Sequence, residues 1–129
     1  MVARDTELHL PVKDVLDDSY AQGKLDGSVK FYFSGQATPA IASRLGQGST
    51  HRKTNAVGKS DSEACRWVML TALMALQKQA EEFGADAVID ISSTGKNSSD
   101  GNFATYECHA GSIMAGVSLR GSYVKLNHR

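Results

Sequence analysis

"TYECHAGSIMAGVSL", residues 105–119, carries two apolar sets on opposite parities. Tyr106, Cys108 and Ala110, with Ala104 before them, form the less polar set of the first half. Ile113, Ala115, Val117 and Leu119 form the apolar set of the second. Side chains of a strand alternate with period two, so the apolar face changes sides between Cys108 and Ile113. The cheapest device is a bulge or bend, and Gly111 is the residue that permits one. The expectation is a strand over 103–120, interrupted near His109–Gly111. Bulges concentrate beside functional sites, which makes Cys108, His109 and Gly111 a candidate functional kink.

Upstream of this strand, "SSTGKNSSDGN", 92–102, is polar and glycine-rich and reads as a hairpin loop. Before it, Ala87, Ile89 and Ile91 alternate with Asp86, Val88 and Asp90, the pattern of a second strand. A hairpin here pairs Cys108 near Val88. The clearest element precedes both. Ser60 and Glu63 make a capping box, and Cys65, Val68, Met69, Ala72, Leu76, Ala80 and Phe83 recur at helical steps up to the stop at Gly84. The spacing predicts a helix over 61–83. Val29, Phe31 and Phe33 alternate in a strand over 28–34, and Thr6–Val12 is a weaker strand stopped by Pro11. A short helix follows near Asp14–Tyr20. Residues 35–59 hold Gly35, Pro39, Gly46, Gly48 and Gly58 and read as irregular. The order of elements predicts a single α+β domain over 1–129. One long helix packs on a mainly antiparallel sheet, with a C-terminal β-hairpin.

Composition bounds the function. The 129 residues suffice for one core. A net charge of zero argues against a dedicated nucleic-acid binder. No apolar run approaches the roughly 20 residues of a membrane helix, and Met1–Asp14 has no apolar signal region. Charge is uneven: residues 1–27 hold six acids against three bases, and residues 44–59 hold four bases and no acid.

Gly58-Lys59-Ser60 matches the tail of a phosphate loop. The full motif needs a first glycine five residues before Gly58, and Lys53 stands there. ATP hydrolysis is therefore not expected. A milder candidate remains, because free N–H groups at a helix start attract anions. Arg52, Lys53, Lys59, Ser60 and Arg66 are its residues, with His51 beside them. Ser60 and Glu63 already cap that helix, and Asp61 adds negative charge, so an ordinary capped helix is the favoured reading.

His9, His51, His109 and His128 fall in no zinc spacing. Cys108 and His109 are adjacent and leave a strand on opposite faces. A metal or thiol site built from them and Cys65 is disfavoured against two buried, inert thiols. The helix's first turns and the expected hairpin register separate Cys65 from Cys108 by on the order of 15 Å, beyond disulfide reach. Two reduced thiols are the expectation. No catalytic residue, metal site or cofactor is expected. Trp67, if exposed, marks an interface.

"RDTELHLPVKDVL", "GKLDGSVKFYFSGQ", "RKTNAVGKSDSEACRWVML", "GADAVIDISS" and "YECHAGSIMAGVSLRG" together resemble a group of small bacterial envelope proteins labelled "excinuclease ATPase subunit". The resemblance covers nearly the whole chain, and the residues support neither half of that label. It implies an envelope protein made with a signal peptide and without established activity. Residues 60–120 are also similar to YbjQ-like proteins and to the sensor domain of RcsF-like envelope lipoproteins. That likeness implies a small α+β fold, ring oligomers in the first case and binding of envelope proteins in the second. Cys108 falls where an RcsF-like strand has a cysteine. The partner position falls near Ser92 or Ser93, so that disulfide does not carry over, and the lipid-anchor cysteine has no counterpart. If Met1-Val2 is foreign to the mature chain, Ala3-Arg4 reads as a start after signal removal and the protein is periplasmic, the favoured reading. If Met1 is the natural start, it is cytoplasmic. The expected function is a non-enzymatic binding or sensing module with an unknown protein partner or as a homo-oligomer. The alternative is a small-ligand or anion binder using the 51–59 loop and the helix start.

Overall fold

The computed structural model describes residues 6–21, 23–93 and 105–127. Among these residues six strands form one sheet: β1 (Thr6–Pro11), β2 (Lys30–Phe33), β3 (Ile41–Asn55), β4 (Ala87–Ser93), β5 (Thr105–Ala110) and β6 (Met114–Leu126). Two helices accompany it, α1 (Val12–Ala21) and α2 (Asp61–Glu82). This corrects the expected architecture of one long helix on a sheet. Strands dominate the molecule, and the sheet curls into a half-barrel.

The largest departure is β3. Its fifteen residues occupy the stretch expected to be irregular. None of its side chains is fully buried on either face, so no alternation of apolar residues announces it. Backbone pairing makes it a strand: β3 runs antiparallel to β6 from Ile41↔Leu126 to Asn55↔Met114.

β6 is the spine of the sheet. One of its edges is taken by β3 along the full length, so β4 and β5 share the other. β4 pairs with the far half, Ala87↔Val124 to Ser93↔Leu119. β5 pairs with the near end, His109↔Gly116 and Ala110↔Ala115. The two strands therefore follow one another along the same edge and run the same way. The hairpin expected between them, with Cys108 opposite Val88, does not form. Most of its expected loop lies outside the described residues, and Ser92 and Ser93 belong to β4. β1 pairs antiparallel with β5, and β2 parallel with β4.

The parity break in 105–119 is a reversal and not a bulge. Gly111 N–H donates to Met114 O at 2.7 Å, and the chain turns through 111–113 into β6. Ala110 then lies opposite Ala115. Tyr106, Cys108 and Ala110 thus share one face with Ala115, Val117 and Leu119, all of them buried. A bulge does occur in β4. Asp90 has φ 54°, the register shifts between Ile89 and Ser92, and Val88 and Ile91 both reach the main core. Ala87 and Ile89 join Val124 and Leu126 in a small second cluster.

α2 begins as its cap predicts. Ser60 Oγ accepts from Glu63 N–H at 3.2 Å, and Gly84, with φ 73°, follows the last turn. Cys65, Val68, Met69, Ala72, Leu73 and Leu76 are fully buried in the main core. Phe83, expected on that stripe, is exposed and stacks on Tyr123 with centroids 5.1 Å apart. Val12 and Val15 of α1 are buried in the same core.

Cys65 and Cys108 are joined by a disulfide, with Cα atoms 6.0 Å apart. The expectation of two reduced thiols fails with the hairpin. β4 runs back along α2 from its C-terminal end, and β5 continues in that direction rather than returning. Cys108 is therefore carried to the level of the first turns of α2, where Cys65 stands.

Candidate functional site

One end of the molecule gathers the connection from β3 to α2 and the turn from β5 to β6. Ala56 N–H donates to Ile113 O at 2.7 Å, and Lys59 N–H to Ala56 O at 3.1 Å. Asn55 Oδ1 accepts from Val57 N–H at 2.8 Å, and Lys59 Nζ donates to Asn55 O at 3.0 Å. Both segments are pinned by backbone bonds and present large apolar side chains to solvent. Val57 is 61% exposed, Ile113 64% and Met114 46%. Scattered exposed apolar residues are ordinary. Three on two hydrogen-bonded turns make a patch.

A pocket of about 290 Å³ opens beside it, lined by Lys59, Glu63, Arg66, Trp67 and Leu70 on the α2 side and by Asp14, Val15 and Asp18 of α1. Trp67 is 48% exposed, as an interface residue would be. Tyr106 is 1% exposed, and its hydroxyl has no hydrogen-bond partner among the described residues. Burial pushes its pKa well above the ordinary value; Arg66 opposes that shift and Asp14 adds to it, so Tyr106 lies within electrostatic reach of both.

The structure divides the residues expected to hold an anion. Lys59 and Arg66 meet in the pocket, where three carboxylates from Asp14, Asp18 and Glu63 offset them. Arg52 and Lys53 are consecutive in β3, opposite Val117 and Gly116 respectively, and project from opposite faces. Ser60 Oγ is engaged by Glu63 N–H. Residues 53–55 of the incomplete phosphate-loop frame are strand residues, so the connection to α2 is only 56–60. The five residues do not form one anion cradle. Cys108 is in the disulfide, His109 faces away from it, and Gly111 opens the hairpin turn.

Sequence reasoning missed a cluster on the outer face of β1 and β5. Pairing places Glu7 opposite His109 and His9 opposite Glu107. Glu107 and His109 share one face by the period of two, while Glu7 comes from the other end of the chain. No spacing rule could bring them together, because the β1–β5 pairing is a tertiary fact.

No protein-family model matches the chain, and no curated protein matches it. Among the described residues no helix is long and apolar enough to cross a membrane.

Proposed function

We propose that this protein is a non-enzymatic binding module of the cell envelope, and that it contacts a protein partner through the end formed by Val57, Ile113 and Met114. The exposure of these three residues on two mutually bonded turns carries the reading. A partner gains apolar burial there without ordering the turns first, which lowers the entropic cost of association. Lys59, on the same connection as Val57, would complement an acidic residue on the partner. The Cys65–Cys108 disulfide supports the periplasmic placement, since such bonds persist in oxidising compartments. The resemblance to small envelope proteins points the same way. The non-enzymatic part rests on the phosphate-loop frame, where Lys53 replaces the required glycine.

The test is a photo-crosslinking residue placed at position 113, and for comparison at Lys125 near the opposite end of β6, in cells that make the protein. Discrete adducts from position 113 and none from position 125 are expected. Adducts of twice the chain mass would identify the partner as a second copy. Equal patterns from both positions, or none from either, would sink the proposal.

The pocket favours a second reading, a small ligand held by Trp67, Lys59 and Arg66. Its mixed charge suits a zwitterion better than a bare phosphate. A rise in melting temperature with a small zwitterionic ligand, absent in Trp67→Ala, would move the function to the pocket.

A further inference from the structure

Glu107 is 4% exposed, the one buried charged residue among those described. Its Oε2 lies 2.8 Å from His109 Nε2. Its other carboxylate oxygen, Oε1, is buried with no hydrogen-bond partner among the described residues. Burying a carboxylate oxygen without a partner is costly, and buried charges are ordinarily paired or coordinate a metal. Glu7 faces His109 across the β1–β5 ladder. One ligand atom from each of Glu7, Glu107 and His109 lies within 4.8 Å of the others. His9 Nε2 is 2.9 Å from Glu7 Oε2, so a second imidazole holds that carboxylate in place.

We propose that Glu7, Glu107 and His109 bind a divalent first-row transition ion, with zinc the best fit. Two carboxylates balance the charge of the ion. The imidazole selects against magnesium and calcium, which take oxygen ligands, and in favour of zinc and its neighbours. Metal–ligand bonds of roughly 2.1 Å place tetrahedral ligand atoms about 3.4 Å apart. Three side chains now within 4.8 Å close that gap by rotation, on a ladder that fixes their Cα positions. Three protein ligands leave a fourth position for water or for a group from outside. His9 serves as an outer partner that orients Glu7. Cys108 sits between Glu107 and His109 in sequence, and its disulfide to Cys65 anchors the strand that carries both.

The test uses the full chain without an affinity tag and with its disulfide intact. Calorimetric titration with zinc chloride should give one ion per chain, and the melting temperature should rise with zinc and not with magnesium. Glu107→Gln, nearly the same shape, should weaken zinc binding at least tenfold without lowering the melting temperature of the metal-free protein. His109→Ala should weaken it similarly, and His51→Ala, on the far side of β6, should leave it unchanged. No zinc heat, equal response to magnesium, or loss in His51→Ala would overturn the assignment. So would zinc binding that survives Glu107→Gln. If Glu107→Gln does not fold, Glu7→Gln carries the decision, and unchanged zinc affinity in that variant refutes the site.

Discussion

The two faces of the β5–β6 hairpin share one backbone and have opposite chemistry. The inner face holds Tyr106, Cys108, Ala110, Ala115, Val117 and Leu119, all buried against α2 or its neighbours. The outer face holds Glu107, His109, Ser118 and Arg120. Period two couples them: fixing Cys108 on the inner side places Glu107 and His109 on the outer. The difference teaches that the inner face is used up by folding, while the outer face is positioned by it and left available for binding.

The largest expected effect comes from unpinning the inner face. Cys65→Ala with Cys108→Ala removes a cross-link between residues 43 apart, worth roughly 4 kcal/mol through the unfolded state. The melting temperature should drop by on the order of 10 °C or more, and denatured, unreduced wild type should show no free thiol. An unchanged melting temperature would mean that β5 is held without the disulfide.

A smaller effect separates the faces directly. A Cβ at Gly121 would lie 2.6 Å from Val88 Cγ1 and 3.3 Å from both Ile89 O and Ile91 Cγ1. Gly121→Val should therefore cost about 1–3 kcal/mol by overpacking. Its neighbour Ser122 points to the other face, and Ser122→Val should stay within about 0.5 kcal/mol. Urea midpoints measure both. Equal losses would erase the distinction between the faces.

The smallest effect concerns a polar group stranded on the inner face. Tyr106→Phe removes a buried hydroxyl without a partner among the described residues, so stability should hold or rise by up to about 1 kcal/mol. The sign of its pH dependence follows from burial. The folded pKa lies above the ordinary value of 10.0, so the unfolded chain loses its proton first as pH rises. Stability is fully present below about pH 10 and falls above it. The fall should be shallower in Tyr106→Phe, with part of the remainder owed to Tyr123, whose pKa burial also raises. Matching alkaline profiles for variant and wild type would place the Tyr106 hydroxyl in water.

How much was legible depended on where each signal lived. α2 could be read because its cap, Ser60 with Glu63, and its stop at Gly84 are local. The interruption at Gly111 could be read from parity, but a bulge and a reversal both move the apolar set to the other parity, and only the Ala110↔Ala115 pairing distinguishes them. β3 could not be read, since Ser43, Arg44, Gln47, Ser49, His51, Arg52 and Lys53 are exposed and leave no buried alternation. Of the candidate sites, Lys59 was legible just before the start of α2 and Arg66 within its first turns. Glu7 with His109 was not.

The sequence by itself determined the local elements: the capped helix α2, the alternating strand at Phe31 and Phe33, and the need for a change of direction near Gly111. Propensity, capping and periodicity act over a few residues, so they are written in short stretches of chain. Only the tertiary structure decided that β4 and β5 lie in line along one edge of β6. It also made a strand of 41–55, brought Cys108 to Cys65, and set Glu7 beside Glu107 and His109. Each of these depends on which backbone edges meet. Edge pairing joins N–H and C=O groups that every residue carries, so the side chains alone do not name the partner.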